Sequence, residues 1–101
     1  MKAITLAAAT PKKISNAGNR NFINIQNNDA ADVYACYDGG QGDAGVNLDD
    51  TTGWVIPANG GTLFISNDGN RNVYTNEVWL YSVAGAAGTV RVQGSDLADE
   101  A

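Results

Sequence analysis

No stretch of this sequence runs long enough between glycine, asparagine and proline to form an amphipathic helix. Glycine occurs 12 times in 101 residues, and asparagine and aspartate cluster with it, as in Asn16-Ala17-Gly18-Asn19 and Asn67-Asp68-Gly69-Asn70. These residues favour turns and weaken helices. Between them lie short runs rich in Val, Ile, Tyr, Phe and Thr. Short β-prone runs separated by turn clusters read as an all-β fold. The expected architecture is a Greek-key or jelly-roll-like sandwich or barrel of about eight strands.

The runs place strands at Lys2–Ala9, Lys12–Ser15, Asn21–Asn27, Asp32–Tyr37, Gly53–Ile56, Gly61–Ile65, Val73–Thr75, Glu77–Val83 and Thr89–Gln93. Pro57-Ala58-Asn59-Gly60-Gly61 is a turn. Asp38 to Gly45, with four glycines, is the longest loop. Successive side chains of a strand point to opposite faces. Alternation therefore predicts a core of Ile4, Leu6, Ile23, Ile25, Val33, Ala35, Leu63, Ile65, Val78, Leu80, Val90 and Val92.

The length suits one domain, set at residues 1–93, with 94–101 as a short acidic tail. Met1 to Pro11 has the look of a secretion signal, but Thr5 interrupts it and Pro11-Lys12-Lys13 ends it, so it reads as a first strand. Elsewhere no apolar run approaches the ~18 residues of a membrane span, and no membrane partner is expected. Six basic against eleven acidic residues give a net charge of −5. This opposes binding to phosphate backbones, so no nucleic-acid partner is expected.

The chain has no histidine and one cysteine, Cys36. Histidine-based triads and the usual zinc sites are thereby excluded. Cys36 has no partner for an internal disulfide and no histidine to activate it, and reads as a small core or surface residue. Asp38, Asp43, Asp49 and Asp50, or the Asn67–Asn70 turn, offer oxygens to calcium. Neither matches the EF-hand spacing, so they read as solvated turn carboxylates. A glycosidase needs two facing carboxylates, whereas Glu77 stands alone on a strand face. Gly39-Gly40-Gln41-Gly42 lacks the lysine and helix of a phosphate cradle. The expectation is no enzyme, no metal and no cofactor.

The outward aromatics are more informative. Trp79 and Tyr81 alternate with Val78 and Leu80, and Trp54, Tyr34 and Tyr74 are candidates for the same face. Trp and Tyr suit interfaces because they join apolar area to a polar tip. Three readings stand: a subunit or partner interface, a stacking surface for sugar rings, or a second buried layer. Ile14-Ser15-Asn16-Ala17-Gly18-Asn19-Arg20-Asn21-Phe22 recurs as Ile65-Ser66-Asn67-Asp68-Gly69-Asn70-Arg71-Asn72-Val73. This is one turn used twice, or a device that presents Arg20 and Arg71 to one partner.

Four runs carry a resemblance. They are Arg20-Asn21-Phe22-Ile23-Asn24-Ile25-Gln26-Asn27, Ala31-Asp32-Val33-Tyr34-Ala35, Ile56-Pro57-Ala58-Asn59-Gly60-Gly61, and Trp79 to Val92 with its Ala87-Gly88-Thr89-Val90-Arg91-Val92 end. Together they resemble small β-sandwich structural proteins of tailed bacteriophages, over most of residues 14–93. The resemblance implies a virion protein made in the host cytoplasm: a capsid decoration or cement subunit on the outer capsid surface. It implies the major capsid protein as partner and a homo-oligomer, with a trimer favoured. The candidate interface residues are Trp79, Tyr81, Tyr34, Arg20 and Arg71. The alternative is a carbohydrate- or host-surface-binding module displayed on the virion.

Overall fold

A computed structural model describes residues 1–15, 22–36, 48–66 and 77–94. They form eight strands: β1 (Lys2–Leu6), β2 (Lys12–Ser15), β3 (Phe22–Asn27), β4 (Val33–Cys36), β5 (Trp54–Ile56), β6 (Gly61–Ser66), β7 (Val78–Tyr81) and β8 (Ala86–Gly94). The strands make two four-stranded antiparallel sheets, β1-β8-β3-β6 and β2-β7-β4-β5. The pairs β1·β8, β2·β7, β3·β6 and β4·β5 are nested, and successive pairs alternate between the sheets. That is the jelly-roll order within the expected all-β class.

The core follows from alternation. Ile23 and Ile25 of β3 face Val90 and Val92 of β8 and Ile65 of β6, while Val33, Val78 and Leu80 approach from the other sheet; all are buried. Each such side chain contributes about 1.5–3 kcal/mol by leaving water. Leu63, expected in the core, is only partly buried and packs against its margin, because β6 is an edge strand. Ile14, Leu48, Ile56 and Ala86 join the buried set.

Several boundaries differ from the expected ones. β1 ends at Leu6 rather than Ala9, because the chain leaves the first sheet there: Ala8 bridges to Ser82 of the second, and Ala9 turns with a φ of 52°. For the same reason β7 stops at Tyr81 rather than Val83. β8 starts at Ala86 rather than Thr89, since its ladder with β1 continues past a register shift to pair Ala87 with Thr5 and Ala86 with Leu6. β2 carries a bulge between Lys13 and Ser15, so that Ile14 and Ser15 are consecutive yet both buried. The expected strand Val73–Thr75 lies outside the described residues.

One end of the sandwich is locked by Asn27, a fully buried side chain. Its Nδ2 donates to the carbonyls of Ala31, Ile56 and Pro57, and its Oδ1 accepts from the Asp29 N–H. Ala31 lies in the β3–β4 crossover, while Ile56 and Pro57 open the β5–β6 crossover. One amide thus ties two of the passages between the sheets. Asp29 continues the lattice, accepting from Thr89 Oγ1 at 2.7 Å and from the Ala31 N–H.

Candidate interaction surface

The second sheet presents two cross-strand rows on its outer face. Pairing sets Trp79 of β7 between Lys13 of β2 and Cys36 of β4. Two residues along, Tyr34 of β4 lies between Tyr81 of β7 and Val55 of β5. Alternation produces this face, because the intervening Val78, Leu80, Val33 and Ala35 are drawn into the core. Trp79, Tyr81 and Tyr34 are half-buried. Tyr34 and Tyr81 meet edge to face with centroids 6.5 Å apart. Gly53 underlies Tyr34: a Cβ on Gly53 would fall 2.6 Å from the Tyr34 Cβ, so only glycine lets the ring lie where it does.

Glu77 organises the first row. Its Oε1 accepts from the Trp79 indole Nε1 at 3.0 Å, and its Oε2 pairs with Lys13 Nζ at 3.6 Å. The ion pair is substantially exposed and contributes at most about 1 kcal/mol. Its role is orientation, since the bond to Nε1 fixes the plane of the indole. The sequence places Glu77 beside Trp79 on one face, and the structure adds the bond between them.

Of the candidate interface residues, Trp79, Tyr81 and Tyr34 are brought onto one surface, whereas Arg20 and Arg71 lie outside the described residues, as does Tyr74. Trp54 is not part of this surface. It pairs with Ala35 and so belongs to the core-facing side of β5, where it projects at the sheet margin 60% exposed. Val55 takes the place that was expected of Trp54.

The first sheet carries a second outward aromatic pair. Phe22 and Phe64 lie with ring centroids 6.1 Å apart, and Phe64 is 60% exposed. Asn24 stands directly between Phe64 and Gln93 in the ladder, and Gln26 between Thr62 and Arg91. Alternation around Leu63 and Ile65 was the available signal for Phe64.

Asp49 is engaged locally. Asp49 Oδ1 accepts from the N–H and Oγ1 of both Thr51 and Thr52, at 2.7–3.1 Å. These bonds, led by the Thr51 hydroxyl, hold its carboxyl below the ordinary value. Asp38, Asp43 and the Asn67–Asn70 turn lie outside the described residues. Among the described residues no three His, Cys, Asp or Glu side chains converge as a metal site would require.

Compared with protein-family models, with curated proteins and with solved structures, the chain matches none.

Proposed function

We propose that this chain is a structural virion protein of a tailed bacteriophage, a capsid decoration or cement subunit that docks on the outer surface of the shell and stabilises it. The observation that carries the proposal is the outer face of the second sheet, where Trp79, Tyr81, Tyr34 and Val55 form a continuous half-exposed surface. Aromatic residues anchor protein interfaces because truncating one can cost about 2 kcal/mol or more. The partner is the major capsid protein. The motif resemblance supports this reading. So does the jelly roll, by analogy, since that fold recurs in viral capsid and lectin domains without fixing their function.

The test is cosedimentation of the purified chain with undecorated shells of the phage that encodes it. The wild-type chain should pellet with the shells and raise their melting temperature. Trp79→Ala and Tyr81→Ala should reduce both while leaving the circular dichroism spectrum unchanged. Full binding by both variants would remove the aromatic face from the argument.

A second reading, a carbohydrate-binding module, is favoured by a different observation. The exposed Phe64 pairs with Asn24, with Gln93 one strand further along the same row, a combination of apolar platform and hydrogen-bonding groups suited to a sugar. Binding on a glycan array that is lost in Phe64→Ala, by a chain that ignores shells, would place this reading first.

A further inference from the structure

The four edge strands of the sandwich are not alike. β1 and β2 hold all three lysines of the chain, Lys2, Lys12 and Lys13, and Pro11 precedes β2. Both also depart from a regular ladder, with register shifts at Ile4/Thr5 and at Lys13/Ser15. Lysine, proline and bulges are the devices that keep an edge from pairing with a foreign strand. The cleft lined by Thr5, Ala7, Thr10, Pro11 and Lys12 sets these two edges along one flank.

Among the described residues of the opposite flank these devices reduce to Pro57, which follows β5. β5 and β6 contact each other there, and no described strand pairs with the outer edge of either. Neither Trp54–Ile56 nor Gly61–Ser66 contains a charged residue or a proline. β6 runs six residues in unbroken register with β3. Three of the five exposed large hydrophobic side chains among the described residues, Trp54, Val55 and Phe64, lie on these two strands.

We propose that the β6 edge is where a second copy of this chain pairs, strand to strand and antiparallel, about a two-fold axis passing near Leu63 and Phe64. The two first sheets then become one continuous sheet across the contact, and each exposed Phe64 meets its symmetry mate. The occupant follows from matching edges. A head-to-tail ring would lay β6 on β1 or β2 of the next copy, against lysines and an interrupted ladder. A two-fold axis instead sets a regular edge, uncharged and without a further partner among the described strands, against its own equivalent. Chains of net charge −5 repel one another, and β5 and β6, which carry no charged residue, are where two copies approach at least electrostatic cost. This contact does not depend on shell binding, which uses the other sheet.

Sedimentation velocity of the full-length chain up to millimolar concentration tests it, with Thr62→Lys and Phe64→Lys as variants. Both residues are exposed, so the fold tolerates the change, and circular dichroism checks this. Each substitution places like charges at the seam. The wild type should sediment as a dimer, and either lysine should raise its dissociation constant by about tenfold or more. Trp79→Ala should leave the dimer intact, so loss of shell binding and loss of the dimer are read separately. A monomeric or trimeric wild type, or a dimer indifferent to both lysines, would overturn the proposal.

Discussion

Tyr34 and Tyr81 stand opposite each other on β4 and β7, their ring centroids 6.5 Å apart and their planes inclined at 61°. This edge-to-face geometry is favourable beyond the area it buries. In a double-mutant cycle of Tyr34→Ala and Tyr81→Ala, the coupling in unfolding free energy should be about 0.5–1.5 kcal/mol. Strict additivity would mean that the rings merely share a surface.

Asn27 should be the most sensitive polar position. Asn27→Ala leaves the carbonyls of Ala31, Ile56 and Pro57 without their shared donor. Each buried polar group left unpaired costs about 1–3 kcal/mol, so a loss of at least about 2 kcal/mol is expected in urea unfolding. Asn27→Asp should be worse at neutral pH, since it sets a carboxylate against three carbonyl oxygens, and it should recover partly in acid. A variant as stable as wild type would show that the two crossovers hold without the amide.

Leu80 and Ile25 are fully buried in opposite sheets. Truncating either to alanine should cost about 2–5 kcal/mol through lost contacts and a residual cavity. Thermal melts followed by circular dichroism would show it, and an unshifted midpoint would contradict the register of β7 or β3.

The turn at Asp49 predicts a pH response with a definite sign. Its carboxyl is held below its ordinary value of 3.8 by the Thr51 and Thr52 donors. A depressed carboxyl stabilises the folded turn fully above the unfolded value and loses that effect as pH falls through the folded one. The amide resonances of Thr51 and Thr52 should therefore titrate on acidification with a midpoint below 3.8. In Asp49→Asn that transition should vanish. A midpoint at or above 3.8 in the wild type would refute the assignment.

Legibility in the sequence followed strand length. β3 alternates over six residues, so Ile23 and Ile25 were readable as core and Asn24 and Gln26 as surface. β5 has three residues, too few to fix a phase. Chemistry alone therefore groups Trp54 with Trp79, although pairing with Ala35 sends it to the other side. Ile14 was hidden by the bulge that buries two neighbours in succession. Ala86 was hidden because Ala-Ala-Gly carries no β-branched signal, and only pairing with Leu6 recruits it. The aromatic surface was legible as a set of residues on alternate positions. Its arrangement was not, because the rows depend on which strands become neighbours, and that is decided by long-range pairing. The Glu77–Trp79 bond likewise needed side-chain geometry.

The nesting of strand pairs also sets an order of assembly. β4 and β5 are closest in sequence among the four nested pairs, and each pair outside them closes a longer loop. Loop closure costs more entropy as the loop lengthens, and such non-local pairing slows folding. Meanwhile β1, made before the other described strands, has only β8 as a ladder partner among them, and β8 also fills the gap between β1 and β3. A nascent chain lacking β8 therefore holds an incomplete first sheet, with Ile4 and Leu6 lacking the strand that covers them. Commitment to the native state must wait for β8, the last of the described strands, and chains stalled before Ala86 should be the ones that quality-control proteases find.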